Sequence, residues 1–579
     1  MKISPIYRNI FFYRSVMQIL YGFNYLRCFR FVKSNIIDES VSELCFGDTV
    51  LEDYRFKNNI KWSGYNFNHK FVNRAIKIGH NVSRIYLTLN SKPQYLIKKV
   101  IKKKMTSNLI TRFNQNPRKI FLFFSFLSIV AVLLSVNIPF FWDNITISES
   151  ASFYFNNSFR KIIPSQKLDY GVITLYAYYL AACWKIMGQS LLVSHIAIIT
   201  FVVGIFWEVK NISLHFIKPG SLFLVYLLLL FDPAISTQIV LIGYDIVFLY
   251  FALLAIRTLI EKKYLFFSIS LLLLSTISIR AIVFIFCLLL VQLIFILIIE
   301  KNRLKINDYL CYIPALIFLI CWCIYHLNKT GWLFFTPEKN SFRDTNSLNM
   351  VFRQFGFIIW KLVDSGRIFI WLLCSVGFFV FYQKIKISAE LKKILIILII
   401  PLLMNIGVMI FISNPIGHKY FLITFTILSI FAVYFIQNIN SKKHRILIFA
   451  SILLCLFFGN FIVYPQKYGN AWDTSLKVLP YFKLEQNMRT FIQSDKIDPK
   501  EIHTEFPLNN DFKYSYLQND FSYSDLEVTE IPRYKYILYS NILNVRNLQP
   551  YEEVKQNWVL VKEMSSFQIS IELYKNPKL

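Results

Sequence analysis

FLFFSFLSIVAVLLSVNIPFFWDNITISESASFYF, residues 121–155, joins an apolar run to an acidic, aromatic segment. From Phe121 the run continues without a charge for about the 20 residues that carry a helix across roughly 30 Å of hydrocarbon. The first acid after it is Asp143. The chain thus crosses a membrane and meets a carboxylate as it emerges, and chemistry is expected there.

Hydrophobic residues make up 55% of the 579, and the mean hydropathy is +0.46. That is too apolar for a soluble enzyme of this length and points to a multi-pass membrane protein. Further apolar runs begin near Leu191, Ser221, Gln238, Tyr264, Ala281, Tyr309, Ile368, Leu391, Phe421 and Ile446. Together they predict roughly eleven spans. Arg280 splits the stretch 264–299, which reads as two short helices or as one helix with a re-entrant piece.

Basic residues set the orientation. EKK at 261–263, EKNRLK at 300–305, QKIKISAELKK at 383–393 and SKKHR at 441–445 fall on one side when the spans alternate, and the basic start of the chain joins them. That side is expected to be cytoplasmic. The opposite side receives residues 140–190, FDPAIST at 231–237, residues 328–365, SNPIGHKY at 413–420 and the tail from about Tyr464. The formal charge of +29 is read as topology and anionic-lipid contact. No nucleic-acid partner is expected, since no basic stripe lies on a recognisable nucleic-acid fold. None of the nine cysteines lies in the outward tail, so neither a disulfide framework nor a metal cluster is implied.

Three regions follow. Residues 1–118 form a basic cytoplasmic segment, 119–464 the transmembrane domain with an outer loop at 140–190, and 465–579 an outward soluble domain. In the tail, KYILYSNIL at 535–543 and FQISIELYKN at 567–576 read as strands of a small α/β domain. In the first region, VSELCFGDTVLEDYRFKNN at 41–59 and the segment after it read as strand, turn, helix, strand and helix. This pattern resembles the beginning of a class I S-adenosylmethionine-dependent methyltransferase. Glu43 and Gly47 match its first motif loosely, and Asn66 stands where the ribose-binding acid would be. The chain turns into KKVIKKKM at 98–105 before such a domain is complete, so a degenerate α/β remnant is expected.

Within the outer loop, ITISESASFYFNNSF at 145–159 has apolar residues at a helical interval, and an interfacial helix fits it. DYGVITLYAYYLAACWKIMGQSLLVSH at 169–195 then returns to the membrane. An acid just after the first span, a helix, an acid-Gly element, Tyr-rich sequence and the run Lys185, Gly188, Ser190, Leu191, Ser194, His195 together resemble GT-C membrane glycosyltransferases. They are similar to the family 39-like members, the group of protein O-mannosyltransferases and lipid A aminoarabinose transferases. FDPAISTQIVLIGYD, TISIRAIV, GWLFFTP, WKLVDSGRIFIW, NPIGHKYFL and NAWDTSLKVLPY add to the resemblance, which covers residues 119–579. It implies a sugar donor carried on polyprenyl phosphate, an acceptor hydroxyl on lipid A, a glycan or a protein, and a bacterial inner-membrane enzyme with its N-terminus cytoplasmic and its active site and C-terminus periplasmic. Where relatives carry His and prolines after the second acid-Gly element, this chain has Asp169-Tyr170-Gly171-Val172-Ile173.

An inverting transfer needs a carboxylate to take the acceptor proton and cations to stabilise the departing phosphate. Asp143 is the candidate base; the competing reading is an Asp capping the helix that follows. Asp169 is expected to orient the acceptor, to act through a divalent metal, or only to form the turn beside Gly171. Arg280, Arg367, His418 and Lys419 are the candidate phosphate contacts, against snorkelling to headgroups. Asp245 and Tyr170 are candidate substrate contacts, with a structural ion pair as the competing role for Asp245. No metal ligand is assigned. Two other classes remain, an O-antigen-type polymerase or ligase and a secondary transporter, although paired halves with interrupted helices are not evident.

Overall fold

The computed structural model describes residues 116–579 except 167, 170, 334–346, 385–387, 412–415, 467–469, 519–520 and 545–547. The chain divides into units 1–110 and 111–579, and the second is described here. The methyltransferase-like pattern with Glu43, Gly47 and Asn66 lies outside the described residues, as does Tyr170.

Helix α1, Pro117–Leu134, starts where Asn116 accepts hydrogen bonds from the Arg118 and Lys119 amides and Pro117 takes the first turn. It buries Ile120, Phe124, Ser128 and Val132, four residues apart, and leaves Leu122 and Phe126 exposed on the other face. α2 (Asn144–Asn156) and α3 (Leu175–Met187) pack together within the segment 140–190, and α4 (Leu191–Leu214) packs along α1. α5 (Leu222–Phe231) and α6 (Pro233–Val240) follow. α7 (Tyr244–Ile260), α8 (Tyr264–Ser275), α9 (Ile279–Ile294), α10 (Ile313–Thr330), α11 (Leu348–Val363), α12 (Ile368–Lys384), α13 (Ala389–Met409), α14 (Leu422–Asn438) and α15 (Lys442–Gly459) complete the bundle.

Six helices among the described residues are long and apolar enough to cross a membrane, or up to eight if each bent pair is one span. The chain is a multi-pass helical membrane protein, and several of its apolar runs form shorter or bent helices for local reasons. At Asp232-Pro233 the path bends by 71°, because proline lacks the amide that would continue α5 while Asp232 caps α6. α8 has only 12 residues, so the stretch split by Arg280 is two separate helices. Residues 328–365, read as outer loop, contain α11, which meets α12 at 87°. That corner turns on Gly366 at φ +82°, where a Cβ would lie 2.3 Å from the Cys455 carbonyl oxygen.

α14 is buried on nearly every side and forms the axis of the bundle. α7, α9 and α14 start beside the end of α1, where Lys419 meets Asp143 and Arg280 meets Asp245 and the Tyr420 ring, and α7 and α9 finish at the basic loops 261–263 and 300–305, which the Lys262–Glu300 pair joins. Polar residues at helix starts therefore gather at the end opposite the basic loops.

The tail carries strands and helices that make a mixed α/β arrangement. β1 (Ile502–Thr504), β2 (Ser524–Asp525), β3 (Tyr536–Ser540), β4 (Val559–Ser566) and β5 (Ile569–Lys575) make one sheet in the order β2-β1-β3-β5-β4. β1 is parallel to both its neighbours, and β5 is antiparallel to β3 and β4. α16 (Leu479–Ser494) packs on β4 and β5. Its core, with Met488, Ile492, Ile537 and Leu573, also takes in Phe141 and Leu241 from the bundle. The tail is thus seated on the segment that carries Asp143.

Candidate active site

Asp143 stands at the N-cap position of α2 with helical dihedrals, φ −57° and ψ −19°, and its side chain makes no capping bond. Its carboxylate turns away instead. A 3₁₀ turn, His418–Phe421, precedes α14 and drives Lys419 inward. The Lys419 Nζ donates to Asp143 Oδ2 at 2.6 Å and to Asp473 Oδ2 at 2.5 Å. Asp473 sits in the turn Trp472–Thr474, and its backbone carbonyl accepts from Gln238 Nε2 at 2.7 Å. Lys419 and Asp473 are almost wholly buried, whereas the Asp143 side chain is 44% exposed. Burial pushes the Asp473 carboxyl upward against the pull of Lys419. Asp143 is thus the member of the triad that a substrate can reach.

Next to Lys419, the Tyr420 ring lies 4.3 Å from the Arg280 guanidinium. Arg280 Nη2 donates to Asp245 Oδ1 at 2.6 Å and to the Tyr244 hydroxyl at 2.7 Å. Four buried polar atoms in this region, Asp245 Oδ2, Arg280 Nη1, Gln238 Oε1 and Asn144 Oδ1, have no hydrogen-bond partner. Unsatisfied buried groups are costly, and a bound polar molecule would satisfy them.

On the other side of Lys419, His418 places Nδ1 3.0 Å from Thr474 Oγ1 and Nε2 2.9 Å from Asp364 Oδ2. Asp364 also accepts from the Tyr464 hydroxyl and the Ser365 amide. Lys361 and Lys477 are buried nearby, and Lys477 donates to Asn470 Oδ1 and the Ile462 carbonyl. Burial pulls the Lys477 ammonium down to about 8, against the attraction of Asp364. Arg367 forms a two-pronged pair with Asp232, both contacts at 2.7 Å, and lies over the Phe425 ring.

Asp143, Lys419, Arg280 and Asp245 are therefore brought into one neighbourhood, with His418 beside it. Arg367 is committed to Asp232. Asp169 is held in a separate buried pair: Oδ1 accepts from the Gly171 amide at 2.8 Å, and Oδ2 lies 2.8 Å from His326 Nε2. The imidazole absent from the sequence after Asp169 arrives from α10, 157 residues further on. Asp473, Asp364, Asp232, Gln238 and His326 were not singled out from the sequence. The signal for Asp232 and Asp364 was present, since each interrupts an otherwise apolar stretch that continues into a helix, whereas Asp473 stands among Asn470, Thr474, Ser475 and Lys477 and carries no such signal.

The fold and this cluster define a multi-pass helical membrane protein with a buried polar site at one end of the bundle, completed by its tail. No protein-family model matches the chain, and no curated protein matches it. Solved structures with a similar chain path include ArnT from Cupriavidus metallidurans bound to undecaprenyl phosphate. Its TM-score is 0.48 at 11% identity, covering 78% of this chain and 97% of that one. The apo form of the same protein gives 0.44 at 10% identity with the same coverage. The arabinofuranosyltransferase AftD from Mycobacteria gives 0.42 at 11% identity, over 79% of this chain and 40% of that one.

Proposed function

We propose that this chain is a GT-C-type membrane glycosyltransferase. It moves a sugar from a polyprenyl-phosphate donor to an acceptor hydroxyl on lipid A, a glycan or a protein, with inversion, at the outer face of a bacterial inner membrane. The observation that carries the reading is Asp143: a half-exposed carboxylate locked by Lys419, among buried polar atoms that lack partners.

In this reading the acceptor oxygen attacks the anomeric carbon from one side as its proton passes to the open Oδ1 of Asp143. The bond to phosphate breaks on the other side, and its electron pair leaves with the phosphate. Arg280 has a buried Nη1 without a partner and is the best placed of the four candidate phosphate contacts to stabilise that charge. Asp245 and Asn144 supply acceptors for sugar hydroxyls. Burial of the site's other groups raises the strength of each contact. The basic loops at the far end of the bundle support an inward-facing N-terminus and an outward-facing site.

Asp143→Asn tests this in vesicles loaded with polyprenyl-phosphate sugar and mixed envelope acceptors, with products read by mass spectrometry. Transfer is expected to fall by about 100-fold or more with expression unchanged. Retained transfer removes Asp143 as the base. Uptake of solute with no covalent product replaces the transferase reading by a carrier.

A further inference from the structure

Two carboxylates converging on one cation is the arrangement a divalent ion imposes, since Mg²⁺ and Mn²⁺ commonly take one or two carboxylates and complete their shell with water. Here the convergence point holds the end of a side chain. Lys419 Nζ lies 2.6 Å from Asp143 Oδ2 and 2.5 Å from Asp473 Oδ2, so the two oxygens are within about 5 Å of each other. Without a cation between them, like charges at that separation would drive one carboxylate to take a proton.

We propose that Lys419 is a built-in cation. Its ammonium occupies the place of a divalent ion between Asp143 and Asp473, balances the charge of the two carboxylates, and makes transfer independent of added metal. The metal-independence rests on the transferase reading above, whereas the placement of the cation does not.

The surrounding contacts fix the ammonium rather than let it swing. The segment 418–419 is joined to 473–474 twice, by Lys419 to Asp473 and by His418 to Thr474. Asp473 is further held through its carbonyl by Gln238 of α6. The Lys419 stem is buried, so its charge stays in a low-dielectric setting aimed at the exposed carboxylate. Lys419 acts through Asp143 and is a positioning residue. A soluble ion would leave on dilution or chelation, but this one cannot.

The test uses the full chain purified into lipid nanodiscs. The wild type, treated with a chelator, is expected to keep transfer within about twofold and to leave the spin-resonance signal of free Mn²⁺ unchanged. Lys419→Ala, checked for folding by gel filtration, exposes the paired carboxylates. It is expected to bind about one Mn²⁺, to lose that binding when Asp473→Asn is added, and to transfer at least about tenfold faster with Mn²⁺ than without. Rescue of its transfer by Mn²⁺ is a response that loss of a merely structural lysine would not show. Lys419→Met serves the same purpose should the alanine variant not fold. The proposal is overturned by a wild type that loses transfer on chelation and regains it with Mn²⁺, or by a folded Lys419 variant that binds no Mn²⁺. Should no variant or wild type transfer sugar, the transferase reading fails, and Mn²⁺ binding alone decides the placement of the cation.

Discussion

Replacing Arg367 separates a phosphate contact from a structural ion. Its guanidinium donates through Nε and Nη2 to both oxygens of Asp232 at 2.7 Å, and through Nη1 to the Asp364 carbonyl. The side chains of Arg367 and Asp232 are 1% and 3% exposed. Asp232 at the same time caps α6, accepting from the Ala234 and Ile235 amides. Arg367→Met removes one partner and strands a buried carboxylate, for which the cost is about 3–5 kcal/mol. The double variant Asp232→Asn/Arg367→Met removes the charge, keeps the side-chain oxygen that caps the helix, and should recover most of that loss. Chemical denaturation of the protein in detergent, followed through the α6 region by proteolysis, measures both. If Arg367 instead held the donor phosphate, the single variant would keep its stability, raise the KM for donor lipid, and gain nothing from the second change. That result would refute the structural assignment.

Two further outcomes follow from packing. Glu485 on α16 is buried beside Tyr481, Tyr516 and Tyr523; burial pushes its carboxyl up to about 7, against Arg489 and the Tyr516 hydroxyl. A folded-state acid held above its unfolded value of 4.5 favours folding while protonated, so its contribution is complete below pH 4.5 and is lost as pH rises through 7. The tail should lose about 3 kcal/mol across that window, and Glu485→Gln should flatten the slope of thermal stability against pH. Gly366→Ala forces a Cβ into a left-handed corner and against the Cys455 carbonyl oxygen at 2.3 Å. Destabilisation of about 2 kcal/mol or more is expected on the same denaturation assay, and an unchanged midpoint would show that the α11–α12 corner can open.

How much of this was legible depends on the range of the interactions. α1, α2 and the strands β3 and β5 follow from periodicity and caps within a dozen residues, and they are where the sequence places them. α11 is not legible as a span because its run, FRQFGFIIWKLV, mixes charges with apolar residues. The 71° bend at Asp232-Pro233 has a local signal, an Asp cap followed by a proline. At the site, Asp143 admitted two local readings, base or cap, and only the empty cap and the contact with Lys419, 276 residues away, decide between a helix signal and a charge pair. Nothing within a local window indicates that Asp473 completes that pair from the tail.

The same long-range pairing changes what the site's cations can do. Arg280 faces Asp245, Arg367 faces Asp232, His418 faces Asp364, and Lys419 is shared by Asp143 and Asp473. A chain with formal charge +29 thus brings no surplus of positive charge to these four positions. An incoming phosphate cannot be captured there by net charge, because Arg280, Arg367 and Lys419 each have a carboxylate in place and the His418 imidazole is already bonded to Asp364. Buried pairs of this kind contribute little to stability on their own, but they hold dipoles in fixed directions. Affinity for a polyprenyl donor would then come mainly from its apolar chain, at about 0.8 kcal/mol per buried CH₂. The paired charges would act when the anomeric bond breaks and new negative charge appears on the leaving oxygen. On the proposed transferase reading, shortening the donor lipid is expected to weaken binding, whereas disturbing a pair such as Arg280–Asp245 is expected to lower kcat more than it raises KM.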